Sequence, residues 1–263
     1  MIRKIREGKA RRGIYLLPNL FTTASLFTGF FAIVAAIDHR FESAAIAIFI
    51  AMLMDGIDGR VARMTHTESD FGAEYDSLSD MISFGIGPAL VVYGWALNTM
   101  GKLGWLVAFI YTAGAALRLA RFNTQVGIAD KAYFQGLPSP AAAGIVAGLV
   151  WVGETQLASS PLLDNVAMGL TFWAGVLMVS NLRYYSFKTI NWKGKVPFVS
   201  LLLFVAIIVT ISSNPPLMLF GGFVIYSISG IFITLIQMLK NRGEGKLQPA
   251  TDPEPDQEQN AGP

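Results

Sequence analysis

Between Asp55 and Asp80 the chain reads DGIDGRVARMTHTESDFGAEYDSLSD, with aspartates at 55, 58, 76 and 80 set inside or at the edge of long apolar runs. An aspartate at the centre of a membrane helix costs about 2.5–3.5 kcal/mol on insertion scales. Several at regular spacing therefore need something that neutralises them. The runs around them are of membrane length, about 20 mostly apolar residues each. Eight stretches qualify, at about 16–37, 43–63, 72–98, 103–125, 138–154, 163–183, 197–213 and 216–239. Only 14% of the residues are charged, against roughly 25% in a soluble domain. The expectation is an all-α integral membrane protein with about eight transmembrane helices.

The distribution of cations orients these spans. The chain opens with MIRKIREGKARR, and the apolar stretch that follows is long for the h-region of a signal peptide and is succeeded by further spans. With both termini in the cytoplasm, eighteen of the twenty Lys and Arg fall on the cytoplasmic side, and only Arg40 and Lys102 do not. Losing or adding one span would scramble that partition, so an even number is expected, in a multi-pass protein of the cell (inner) membrane. Residues 1–15 form a basic cytoplasmic segment, and 243–263, rich in Gly, Pro, Gln and acids, a disordered cytoplasmic tail. The absence of cysteine excludes disulfides, thiolate metal sites and a cysteine nucleophile. No nucleic-acid partner is expected.

Asp55 and Asp58, at i,i+3, share a helix face, and Asp76 and Asp80 do so at i,i+4, with Gly72 one turn earlier. The short polar loop 64–71 makes the two helices antiparallel neighbours, so the acidic pairs converge near the cytoplasmic interface. Carboxylates at close quarters repel one another. Oxygen-only ligation suits Mg²⁺ or Mn²⁺ rather than Zn²⁺, and two divalent ions would clamp both sides of a phosphoryl-type displacement. Gly59 and Gly72 allow a nucleotide or a partner helix to approach closely, and Arg63 stands at the mouth to meet a phosphate. Taken singly these residues have plainer readings. Asp55 and Asp58 suit an N-cap or an ion pair with Arg60 or Arg63, the glycines suit helix packing, and intramembrane acids also line cation pathways.

The string Asp55-x-x-Asp58-Gly59-x-x-Ala62-Arg63, eight residues, Gly72-x-x-x-Asp76-x-x-x-Asp80 resembles the complete signature of the CDP-alcohol phosphotransferases, with no position departing from it. The resemblance implies a homodimer with a six-helix catalytic core, here 16–183, and a polar cavity open to the cytoplasmic leaflet. It implies that Asp55, Asp58 and Asp76 ligate metal. Asp80 is implied to be the catalytic base, also near a metal, and Gly59, Ala62, Arg63 and Gly72 to line the CDP-alcohol site. Residues 184–242, a cytoplasmic loop and two more membrane helices, lie outside that core, and the resemblance gives them no role.

Three further segments bear on the substrates. Pro18-Asn19-Leu20-Phe21-Thr22 reads as a helix start with Asn19 as cap. Similar Pro-Asn starts stand near the nucleotide in the family, which makes Asn19 and Thr22 candidates for that site. Arg118 and Arg121 share a face at the cytoplasmic end of the fourth span. Snorkelling explains Arg121 almost as well as a site role does, whereas the deeper Arg118 requires an anion, such as an acceptor carboxylate bound bidentately. Phe134-Gln-Gly136-Leu-Pro138-Ser139-Pro140-Ala-Ala and Asn181-Leu-Arg183-Tyr184-Tyr185-Ser186-Phe187-Lys188 are similar to segments of the phosphatidylserine synthase branch. That resemblance implies transfer of a phosphatidyl group from CDP-diacylglycerol to L-serine among membrane lipids. Alternatives are glycerol 3-phosphate or an inositol compound as acceptor and, in another class, a cation transporter or binding protein, against which the cytoplasmic clustering of the acids counts.

Overall fold

The computed structural model describes residues 2–65, 67, 69–124, 133–157, 160–185 and 198–244. In chain order it runs α1 (Ile2–Ile37), α2 (Phe41–Thr65), α3 (Asp70–Asp80), a π-helical segment (Met81–Ile86), α4 (Gly87–Trp95), a 3-10 turn (Leu97–Met100) and α5 (Lys102–Thr124). Then follow β1 (Tyr133–Gln135), α6 (Ser139–Gln156), α7 (Pro161–Val179), β2 (Arg183–Tyr185), α8 (Phe198–Ser213) and α9 (Pro215–Glu244). Each of the eight expected spans coincides with a helix, or for the third with α3, the π segment and α4 in succession. The expected disorder of 243–263, beyond Glu244, and the expected cytoplasmic cations Lys131, Lys188, Lys193, Lys195 and Lys246 lie outside the described residues.

Among the described residues, four helices are long and apolar enough to cross a membrane, at Leu17–Ile37, Lys102–Thr124, Pro161–Val179 and Pro215–Ile236. Their outward faces carry exposed Phe27, Phe109, Phe172 and Phe232, as a lipid-facing surface requires. The core sits around α6, which is buried at every position from Ala141 to Val150. A helix apolar on all sides belongs in the middle of a bundle, and α2, α4, α7 and α9 surround it. Small residues set the closest crossings: Gly114 of α5 lies on the backbone of Gly175 of α7, and Gly144 and Gly148 of α6 receive the rings of Phe223 and Phe220 from α9.

The structure departs from the sequence expectations in three places, each near the acidic residues or the acceptor segments. First, α1 does not begin at Pro18, and Asn19 is not an N-cap. The helix runs through, with Pro18 inside it. A proline there removes one helical donor, and Thr22 Oγ1 donates to the Pro18 carbonyl one turn on. Second, the third span changes to π-helical winding directly after Asp80, a deformation frequent at functional sites. Buried partners hold it. Tyr111 of α5 donates its hydroxyl to the Phe84 carbonyl at 2.9 Å, and Ser83 Oγ donates to the Ser25 carbonyl of α1 at 3.1 Å. Tyr111→Phe removes the first of these from a fully buried site and is expected to cost about 1–3 kcal/mol, read as a lower Tm in detergent.

Third, the two segments singled out for the acceptor pair with each other. β1 and β2 form an antiparallel ladder with Tyr133 opposite Tyr185, Phe134 opposite Tyr184 and Gln135 opposite Arg183. Gly136 follows with φ of 77°, and its N–H donates to the Leu182 carbonyl at 2.9 Å. A Cβ at Gly136 would run into the Met178 carbonyl, so both the left-handed backbone and the close approach demand glycine there. This turn delivers Ser139 to the first position of α6.

Candidate active site

The acidic residues meet because α2 and α3 are both fixed against α1. On α3, Ser79 Oγ donates to the Thr22 carbonyl of α1 at 3.2 Å, and Tyr75 and Thr23 share a hydroxyl hydrogen bond of 2.9 Å. The start of α3 is capped by Ser69, whose Oγ accepts from the Gly72 N–H at 3.1 Å. These contacts leave Asp76 and Asp80 turned towards α2.

Asp55, Asp76 and Asp80 each place one carboxylate oxygen within 4.8 Å of the other two. All three are half-buried. The Asp80 and Asp55 carboxyl groups lie in hydrogen-bonding reach of each other, and Asp76 adds a further like charge. The second oxygen of Asp80, Oδ1, is buried and has no hydrogen-bond partner among the described residues. Crowded oxygen donors with a buried, unsatisfied lone pair fit a hard divalent cation, whose ligands at about 2.1 Å stand some 3–4 Å apart. The donor set fits neither a soft metal nor a thiolate site.

Asp58 stands beside this group in the field of Asp55. It is 5% exposed, and its Oδ2 accepts from Thr22 Oγ1 at 2.8 Å. The structure thus gathers three of the expected metal ligands and ties the fourth to α1. Around Asp58 lie the residues expected at the CDP-alcohol site. A Cβ on Gly59 would sit 3.5 Å from Arg63 Nη1, and one on Gly72 would sit 3.5 Å from Asn19 Oδ1. Asn19, Thr22, Asp58 and Gly72 therefore form one continuous wall, with Gly59 and the exposed Arg63 at its rim. Ala62 is half-buried one turn along α2 from Asp58.

Arg118 of α5 approaches from the other side. Its Nη1 donates to the fully buried Ser139 Oγ at 2.5 Å, and its guanidinium lies in the field of Asp80 and Asp55. Arg121 instead donates to Asn181 Oδ1 at 3.2 Å, tying α5 to the end of α7. The residues that sequence reasoning missed are those that aim the others: Ser79, Ser83, Tyr111 and Ser139. Ser79 and Ser83, one helical turn apart on the α1 side of the third span, and Ser139, within the segment that resembles the acceptor branch, carried a signal of that role.

A family model, CDP-alcohol phosphatidyltransferase, matches residues 15–180. The chain belongs to the CDP-alcohol phosphatidyltransferase family. The match takes in α1 from residue 15, all the acidic residues, Arg118 and Ser139, and ends at the close of α7. Among relatives, the CDP-diacylglycerol–serine O-phosphatidyltransferase of Helicobacter pylori strain J99 is 34% identical over 231 residues, covering 88% of this chain and 97% of that protein. The protein of the same name from Methanocaldococcus jannaschii is 38% identical over 173 residues, covering 66% of this chain and 75% of that one. A crystal structure of Mycobacterium tuberculosis phosphatidylinositol phosphate synthase in complex with manganese and citrate is 21% identical, with a TM-score of 0.48 over 68% of this chain and 85% of that one. This member of the CDP-alcohol phosphatidyltransferase family is an integral membrane enzyme.

Proposed function

We propose that the protein transfers the phosphatidyl group of CDP-diacylglycerol to the hydroxyl of L-serine, giving phosphatidylserine and CMP, with the chemistry centred on Asp55, Asp76 and Asp80. The observation that carries this reading is the convergence of those carboxylates opposite Arg118. One face of the site suits a cation and phosphates, and the other suits an anionic small molecule.

The chain's own groups divide the work. Asn19, Thr22, Gly59, Ala62, Arg63 and Gly72 form the wall for the CDP moiety, where the two glycines keep the backbone close and Arg63 meets a phosphate at the rim. Asp55, Asp76 and Asp80, with Asp58 adjoining, would hold Mg²⁺ or Mn²⁺, as one ion or two, which when bound neutralises the pyrophosphate and the departing CMP. Asp80, which faces the Arg118 guanidinium, takes the proton of the serine hydroxyl. The serine hydroxyl oxygen, its proton passed to Asp80, forms a bond to the lipid-side phosphorus as the phosphorus–oxygen bond to CMP breaks and CMP leaves. Arg118, held by Ser139, takes the serine carboxylate and fixes the hydroxyl near Asp80, so positioning supplies much of the rate.

Arg118→Ala is expected to raise the KM for serine about tenfold to a hundredfold, the worth of a charged hydrogen-bonded contact, with the KM for CDP-diacylglycerol little changed. Steady-state kinetics at saturating CDP-lipid checks this, and an unchanged serine KM would remove Arg118 from the acceptor site. Arg121 is a weaker acceptor candidate because of its bond to Asn181. The cation distribution supports a cytoplasmic location for both termini, and the family resemblance supports a homodimer as the working unit. Residues 16–183 would then form the catalytic core, preceded by the basic segment and followed by two helices outside it.

A further inference from the structure

The match to the family ends at residue 180, yet α9, beyond it, packs along α6. Its register on α6 is fixed by two glycine seats, Phe220 on Gly148 and Phe223 on Gly144. The helices run antiparallel here, so a further turn along α9 arrives at Tyr226 and Ser227, opposite the first turn of α6, where Ser139 holds Arg118. Three contacts fix that level. Tyr184 of β2 is fully buried and donates its hydroxyl to the Ser227 carbonyl at 3.0 Å. Its ring lies on Gly230, where a Cβ would collide. Its centroid is 5.5 Å from that of Tyr226. The Tyr226 ring is thereby held, half-buried, beside Tyr184, with its phenol in the field of the Arg118 guanidinium.

We propose that Tyr226 belongs to the acceptor site, where its phenolic hydroxyl and the Arg118 guanidinium together take the carboxylate of an amino-acid acceptor. This rests on the reading of the acceptor given above and assigns a role to α9, for which the sequence offers none. A phenol donates one hydrogen bond, and beside a guanidinium it adds direction to charge, so a carboxylate is gripped from two helices. Tyr184 sets the ring, and the Phe220 and Phe223 seats set the height. An acceptor that lacks the carboxylate gains nothing from either group. The pair therefore separates serine from ethanolamine, which carries the same reacting hydroxyl and amine without the acid.

The test is CMP release by wild type and by Tyr226→Phe, which keeps the ring against Tyr184, with serine and with ethanolamine as acceptors. The kcat/KM for serine is expected to fall about tenfold in the variant, the effect of one hydrogen bond to a charged group. The value for ethanolamine and the KM for CDP-diacylglycerol hold. Equal losses with both acceptors would make Tyr226 a packing residue and overturn the proposal, as would no loss with either. Wild-type protein that releases no CMP with serine would overturn the functional reading itself, and this inference with it, so the two failures are told apart by the wild-type arm.

Discussion

Asp80→Asn is expected to lower the rate of CMP release by about 10²–10⁴ while CDP-diacylglycerol still binds. Asp80 is set apart from the other acids by position. It ends α3 directly before the π segment. The amide keeps the shape and most of the packing but cannot accept the serine proton. Equilibrium binding of CDP-lipid and single-turnover CMP release, measured on the same preparation, separate the two effects. If binding is lost in proportion to turnover, Asp80 is mainly a ligand for the cation and the base lies elsewhere.

The second large effect is on stability, and its sign depends on the cation. With one carboxylate oxygen each of Asp55, Asp76 and Asp80 within 4.8 Å of the other two, the cation-free fold carries repulsion among like charges. Asp76→Asn is therefore expected to raise the Tm measured in chelator. In wild type, saturating Mn²⁺ or Mg²⁺ at about a hundred times its Kd adds about 2.7 kcal/mol, a rise in Tm of about 5 °C or more for a chain of this size. Most of that rise disappears in Asp76→Asn. Thermal unfolding of wild type and variant in detergent, with chelator and with each cation, gives all six values. A variant that is less stable in chelator and still gains the full increment from the cation would contradict the carboxylate cluster as the metal centre.

The parts of this fold that were legible in the sequence are those set by local periodicity. Apolar run length placed the helices, because a bilayer imposes it. The i,i+3 and i,i+4 spacings put Asp55 with Asp58 and Asp76 with Asp80 on shared faces. The rest depends on contacts between distant segments. The partition of the acids, three together and Asp58 tied to Thr22, follows from how α1 crosses α2. Pro18 read as a helix start, since a helix continued by neighbouring donors leaves no mark on the local string. The π segment after Asp80 has an unremarkable sequence, MISFGI, and is held by Tyr111 from a later helix. Residues 133–135 and 183–185 carried no sign of a strand, and their pairing as β1 and β2 became visible only in the fold. The acceptor side of the site was least legible for the same reason: Arg118, Ser139, Tyr184 and Tyr226 come from four separate elements.

The decisive measurement is CMP release from purified protein supplied with CDP-diacylglycerol and Mn²⁺ or Mg²⁺, with L-serine, glycerol 3-phosphate, myo-inositol or no acceptor. Release is expected to require both serine and the cation, with phosphatidylserine as the lipid product. Release with glycerol 3-phosphate or myo-inositol in place of serine would contradict the acceptor assignment while leaving the carboxylate centre standing. No release with any acceptor, from protein shown to be folded, would contradict the account as a whole.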